Sequence, residues 1–291
     1  MAPPGLNANS FRQYPNFNGI NQILNVGKAE YNALQLSYDK LFTQGFAARA
    51  NYTFSKCRNQ GRQGLVNNIG GYRSLWLVGP DWALCDSDAP HIMSLSLGYD
   101  LPFGQGKRFG SGANGLLDHL IGGWRINAIA MYQSGPPFTI SCNIATTTGQ
   151  GCNAVLTGEP LYREDRGFQG WLNPAAFANP PVATTVGQTD LSPLGGDPTQ
   201  VRGPDFKRVD FSVFKGFPGA GRQRFEVRME IFNLTNTHNF SVPGFSGGGA
   251  GLPPPPGVLD FSNTTNFGKI TALRLGPNDQ RQVQLALKYY F

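Results

Sequence analysis

Charge and histidine are scarce in this chain. Only 14% of its 291 residues are charged and three are histidine. No HExxH or CxxC pair occurs, and no histidine stands at zinc-ligand spacing from a cysteine. The common zinc frames are therefore missing, and no catalytic residue, metal ligand or cofactor is assigned. No apolar run approaches the roughly 18 residues of a membrane helix, which excludes a helical membrane protein. The opening MAPPGLNANSF lacks a basic segment followed by an apolar one, so no secretory signal is read there. The net charge of +6 is spread out. Its nearest clusters, Lys107-Arg108 and Arg222 with Arg224, are too small for a nucleic-acid patch, and no nucleic-acid partner is expected.

Turn formers and alternation are abundant instead. Glycine at 38 and proline at 22 point to many turns and long loops. The chain ends QRQVQLALKYYF, where Val283, Leu285, Leu287, Tyr289 and Phe291 alternate with Gln284, Ala286, Lys288 and Tyr290. In RFEVRMEIFN, Phe225, Val227, Met229 and Ile231 alternate with Arg224, Glu226, Arg228 and Glu230. FAARANYTFSK and MSLSLGYDL do the same; WRINAIAMYQ, RVDFSVF and NALQLSYDKLF do so less cleanly. A period of two means a strand with two unlike faces. About eight such segments fall near 17–27, 31–42, 45–57, 90–102, 123–140, 207–217, 222–236 and 280–291.

Alternation alone does not separate a soluble sandwich from a membrane barrel, whose apolar face meets lipid and whose polar face lines the lumen. Connector length helps to tell them apart. TQG (43–45) and PGAGR (218–222) are tight and 103–122 is moderate, whereas 58–89, 141–206 and 237–279 are long. Short and long connectors alternate, as in outer-membrane barrels with short periplasmic turns and long surface loops. Structureless connectors above about 15 residues are uncommon in compact soluble domains. The expected fold is all-β: an antiparallel, transmembrane-type β-barrel segment of about eight strands. Phe225, Val227, Met229 and Ile231 are then lipid-facing, and Arg224, Glu226, Arg228 and Glu230 lumen-facing. Phe291 falls at the periplasmic rim, where aromatic girdles sit.

Several stretches go beyond pattern. YNALQLSYDKLFTQGFAARANYTFSK, YDLPFGQGKRF, IGGWRINAIAMYQSGPPFTI, WLNPAAFANPP, RVDFSVFKGF, RMEIFNLTNTHNF and NFGKITA, in this order, resemble the C-terminal part of TonB-dependent receptors. The likeness is to Oar-like outer-membrane proteins with a carboxypeptidase-regulatory-like N-terminal domain, and spans roughly 14–291. It implies a barrel of about 22 strands with a plugged lumen. It also implies substrate uptake across the bacterial outer membrane, driven by an inner-membrane energy-transducing complex. The row Val283, Leu285, Leu287, Tyr289 and Phe291 resembles the C-terminal signal read by the barrel-assembly machinery. Expected partners are outer-membrane lipid, that machinery, an unknown substrate and, only through a missing plug domain, the energy-transducing complex. Plug domain, TonB box and signal sequence are absent from the chain. Residues 1–291, with 1–14 irregular, are accordingly read as the C-terminal part of a longer barrel, supplying lumen wall and surface loops. The 141–206 loop is the expected contributor to ligand capture.

Two other readings stay open. One is a stand-alone small outer-membrane barrel with a structural or adhesive role; the other is a soluble β-sandwich binding module. An enzyme is not expected. The cysteines suit an exported protein: Cys57 and Cys85 flank one surface loop, while Cys142 and Cys152 enclose the start of another. Two disulfides are expected on that placement, with free thiols in an unexported fragment as the alternative. Gly244-Phe245-Ser246-Gly247-Gly248 matches a hydrolase elbow by chance, since no helix is expected after it. Gly110-Ser111-Gly112-Ala113-Asn114-Gly115 matches a dinucleotide loop, but lies between two membrane-type strands and is read as a turn.

Overall fold

The computed structural model describes residue 16 and residues 27–60, 81–142, 153–180, 201–219, 223–244 and 259–291. Its main sheet is built from β1 (Ala29–Thr43), β2 (Phe46–Gln60), β3 (Trp82–Leu84), β4 (His91–Asp100) and β5 (Trp124–Gln133), followed later in the chain by three further strands. Between β4 and β5 stands one short helix, α1 (Gly115–Ile121). The connector after β5 carries small strands β6 (Pro137–Phe138), β7 (Val155–Leu156), β8 (Tyr162–Gly167), β9 (Gly170–Leu172), β10 (Phe177–Ala178) and β11 (Val201–Arg202). The main sheet resumes with β12 (Phe206–Pro218), β13 (Arg224–Phe232) and β14 (Gln282–Tyr290). All its pairings are antiparallel, in the order β1-β2-β4-β5-β12-β13-β14, with β3 added beside β2. Among the described residues β1 and β14 do not pair, so the sheet is open.

Local chemistry explains the boundaries. β1 turns into β2 through Gln44 and Gly45, both at positive φ (53° and 82°). That is the two-residue, primed hairpin whose twist matches its flanking strands. β13 stops at Phe232 because Asn233 takes a φ of 52° and turns the chain. The expected strand at 123–140 is shorter than its sequence pattern. It ends at Gln133, and Ser134-Gly135-Pro136 separate it from β6. Proline has no N–H for the ladder, and Gly135 passes so close to the Gly203 carbonyl that no side chain fits. The segment expected at 17–27 lies, but for its last residue, outside the described residues.

The connectors fall into two sets. Gln44–Gly45, 101–123 and residues 219 and 223 lie at one end of the sheet, and 85–90 with the described parts of 134–205 and 233–281 at the other. The 134–205 connector is not structureless, as its six small strands show.

Register places residues on faces. One row runs Tyr99, Ile126, Val213, Met229, Leu285, and the next Leu97, Ala128, Phe211, Ile231, Val283. Among the described residues nothing covers this apolar face at its β14 end: Leu285 is 74% exposed and Leu287 70%. A soluble sandwich would bury it against a second sheet. The largest buried apolar cluster lies elsewhere, in the long connectors, where Ile140, Leu172, Phe177, Val201 and Phe267 pack together. Phe177 and Phe267 meet edge to face at 5.5 Å between ring centroids.

Candidate functional site

The opposite face of the sheet is lined by charge and amide groups. Asp39 faces Arg49 across β1 and β2, with an Nε–Oδ1 distance of 2.5 Å. Ser37 Oγ donates to Asn51 Oδ1 at 3.0 Å, and Asn51 Nδ2 donates onward to Ser94 Oγ at 3.4 Å. Arg125 holds Asp100 through Nε at 2.5 Å and Nη2 at 3.3 Å, a two-pronged carboxylate contact. Arg208 pairs with Asp210 at 2.8 Å, and Arg228 with Glu226. Arg228 Nη2 also donates to Tyr290 Oη at 3.3 Å, and Arg224 stacks on the Tyr290 ring at 4.0 Å. Arg224, Glu226, Arg228 and Glu230 thus share this polar face, while Phe225, Val227, Met229 and Ile231 share the apolar one. Each exposed pair contributes little stability alone, so the array is better understood as a wetted wall than as a core.

Apolar residues interrupt this wall, among them Phe214, which lies between Arg125 and Arg228. Ile92, Ile129 and Met131 lie on the polar face of β4 and β5 and are 42%, 46% and 40% exposed. Alternation did not single out Ile129 and Met131, because WRINAIAMYQ carries apolar residues on both of its faces, and Ile92 stands next to Met93 at the start of β4. The only signal available was that lapse of periodicity.

Above the wall, at the long-connector end, side chains from different connectors interlock. Cys57 and Cys85 are joined by a disulfide with their Cα atoms 5.4 Å apart. Beside it, the Cys57 N–H donates to Asp88 Oδ1 at 2.6 Å. Asp88 also pairs with Arg202, which donates to the carbonyls of Asp88 at 3.2 Å and Gly135 at 3.1 Å. Cys142 is disulfide-bonded too; Cys152 lies outside the described residues. A second knot forms around Asp279, which accepts from the Asn239 N–H at 2.5 Å and Asn239 Nδ2 at 2.8 Å. Asn233 Nδ2 reaches the Asp279 carbonyl at 2.5 Å, and Asn239 Oδ1 accepts from the Lys207 N–H at 2.7 Å. The stretch NLTNTHNF therefore owes its asparagines to turn and tie formation.

Where wall and loops meet, a cleft of about 430 Å³ is lined by Gln133, Pro136, Phe206, Ser241, Val242, Arg274 and Leu275. Arg274 donates through Nη2 to the Pro204 carbonyl at 3.0 Å and lies 5.9 Å from the Phe206 ring. Burial lowers the affinity of its guanidinium for its proton, and the Asp205 carboxylate offsets part of that. The cleft offers an apolar floor, an amide, a hydroxyl and one cation, the mixture of groups common in ligand-binding clefts. Ser246 of the elbow-like stretch lies outside the described residues. Gly110–Gly115 form a turn leading into α1 between antiparallel strands, with no parallel strand to make a βαβ unit. No group of three or more His, Cys, Asp or Glu among the described residues is placed to hold a metal ion.

An open antiparallel sheet with one exposed apolar face, one charged face and alternating short and long connectors defines the wall of an outer-membrane β-barrel. The comparison of families agrees: residues 1–284 match the outer membrane beta barrel domain, and the chain belongs to that family. Its place is the bacterial outer membrane. No curated protein and no solved structure matches it.

Proposed function

We propose that this chain forms lumen wall and surface loops of a TonB-dependent outer-membrane transporter or receptor, with its apolar face in lipid. The observation that carries the reading is the polar face itself. A closed barrel of about eight strands has an interior only wide enough for its own side chains. Here Asp39, Arg49, Ile129 and Met131 stand exposed on that face, and β1 is not paired with β14. A face of that kind suits a wide lumen holding water and a second body, and weighs against the stand-alone small barrel. Ligand capture falls to the long connectors and the cleft beneath them, and transport needs an inner-membrane energy source. The exposed row Val283, Leu285, Leu287 and Tyr289 on edge strand β14, continued by Phe291 just after it, is the part offered to the barrel-assembly machinery.

The test compares the spent medium of cells carrying an intact gene with that of cells in which it is disrupted. The reading expects a compound that only intact cells remove, and expects removal to stop when the proton-motive force is collapsed. No such compound, or removal indifferent to the proton-motive force, overturns energised uptake.

A further inference from the structure

The short-connector end carries an apolar feature that the barrel wall does not require. In the connector from β4 to β5, α1 has the sequence GLLDHLI and none of its residues is buried. Leu116 is 86% exposed, Leu120 70% and Leu117 47%, and Phe103 and Phe109 in the same connector are 42% and 50% exposed. A helix that points its leucines away from the protein gains nothing from them in water, since amphipathic helices are held by the burial of that face.

Its attachment says what covers it. The Trp124 indole Nε1 donates to the Leu120 carbonyl at 2.9 Å. Trp124 belongs to the apolar row that continues through Lys215, Val227 and Leu287. Lys215, a cation on that row, is buried: its Nζ donates to the Gly122 carbonyl at the end of α1 and lies 5.3 Å from the Trp124 ring and 5.1 Å from the Phe217 ring. The end of the helix is thus fastened to the rim of the apolar face. Exposed Lys107 and Arg108 flank the same patch, with the Arg108 guanidinium 5.5 Å from the Phe109 ring.

We propose that α1 and its flanking phenylalanines form an interfacial anchor seated in the periplasmic phospholipid leaflet. Leu116 and Leu120 enter the boundary between headgroups and acyl chains, Trp124 sits at headgroup depth, and Lys107 and Arg108 meet lipid phosphates. The occupant is lipid rather than a protein partner because the patch is continuous, through Trp124, with the face that lies in lipid. The inference rests on that lipid-facing reading, and its test separates the two.

Nitroxide labels are placed on the full chain in phospholipid vesicles by L116C, L120C, L285C and S111C, with the native disulfides intact. Collision rates with oxygen and with a water-soluble nickel chelate are then measured. The proposal expects the oxygen-to-nickel ratio at 116 and 120 to exceed that at 111 several-fold and to stay below that at 285, in mid-strand. If 285 is lipid-accessible while 116 and 120 resemble 111, the anchor is wrong and the lipid face stands. If 285 is also water-accessible, both fall.

Discussion

Asp88 and Arg202, 114 residues apart in the chain, form an ion pair that ties the connector after β2 to the connector after β5. The Asp88 side chain is 1% exposed, so its charge has no recourse to water. Removing one partner of such a pair costs about 3 kcal/mol, since the remaining charge stays buried and uncompensated. R202A is expected to lower hydrogen-exchange protection around Gly135 and Gly203 by about two orders of magnitude, while the β12–β13 ladder keeps its own. Unchanged exchange at Gly135 would mean that the loop cluster does not depend on this pair.

Met229 lies opposite Leu285 on the apolar face, and Gln284 opposite Glu230 on the polar one. An arginine in hydrocarbon near mid-membrane costs about 2–4 kcal/mol, whereas a lumen position tolerates it. M229R should lower the urea midpoint of the membrane-inserted chain accordingly, and Q284R should shift it by less than about 0.5 kcal/mol. Equal effects would mean that the apolar face does not lie in lipid, and a larger effect of Q284R that the faces are reversed.

These two sites differ in how readable they were. The faces of β13 and β14 follow from side-chain alternation, because nothing but period two decides which residues share a side. The tight turn at Gln44-Gly45 and the alternation of short with long connectors were equally visible. The pairing of Asp88 with Arg202 was not, since it depends on how two separate connectors dock. Nor was α1: seven residues make too few turns for a helical period to stand out in a glycine-rich stretch. The small core around Ile140 and Phe267 stayed hidden for a related reason, its residues being scattered over two connectors without periodicity.

The Cys57–Cys85 bridge closes a loop with a sequence separation of 28. Loop-closure entropy puts its contribution at about 3.5 kcal/mol. Protein taken from the outer membrane, digested without reductant, should yield a linked peptide pair containing both cysteines. The C57S/C85S double variant should unfold earlier by about that free energy. Free thiols at both positions in exported protein would remove the bridge from the account.

Gly123 adjoins β5 at the short-connector end with a φ of 70°, and a Cβ built there would stand 2.7 Å from the Gly216 carbonyl oxygen. The Gly216 N–H in turn donates to the Gly123 carbonyl at 3.0 Å, so connector and β12 touch backbone to backbone. Alanine at this position meets both a left-handed conformation, costing about 1–2 kcal/mol, and a contact that only backbone movement relieves. G123A should therefore destabilise the inserted chain by about 2–3 kcal/mol. The control is Gly112, which has open space around its Cβ position. G112A should leave the unfolding midpoint within about 0.5 kcal/mol of the parent. If G123A were equally neutral, the close approach of Gly123 to Gly216 would not be what holds the α1 connector against the sheet.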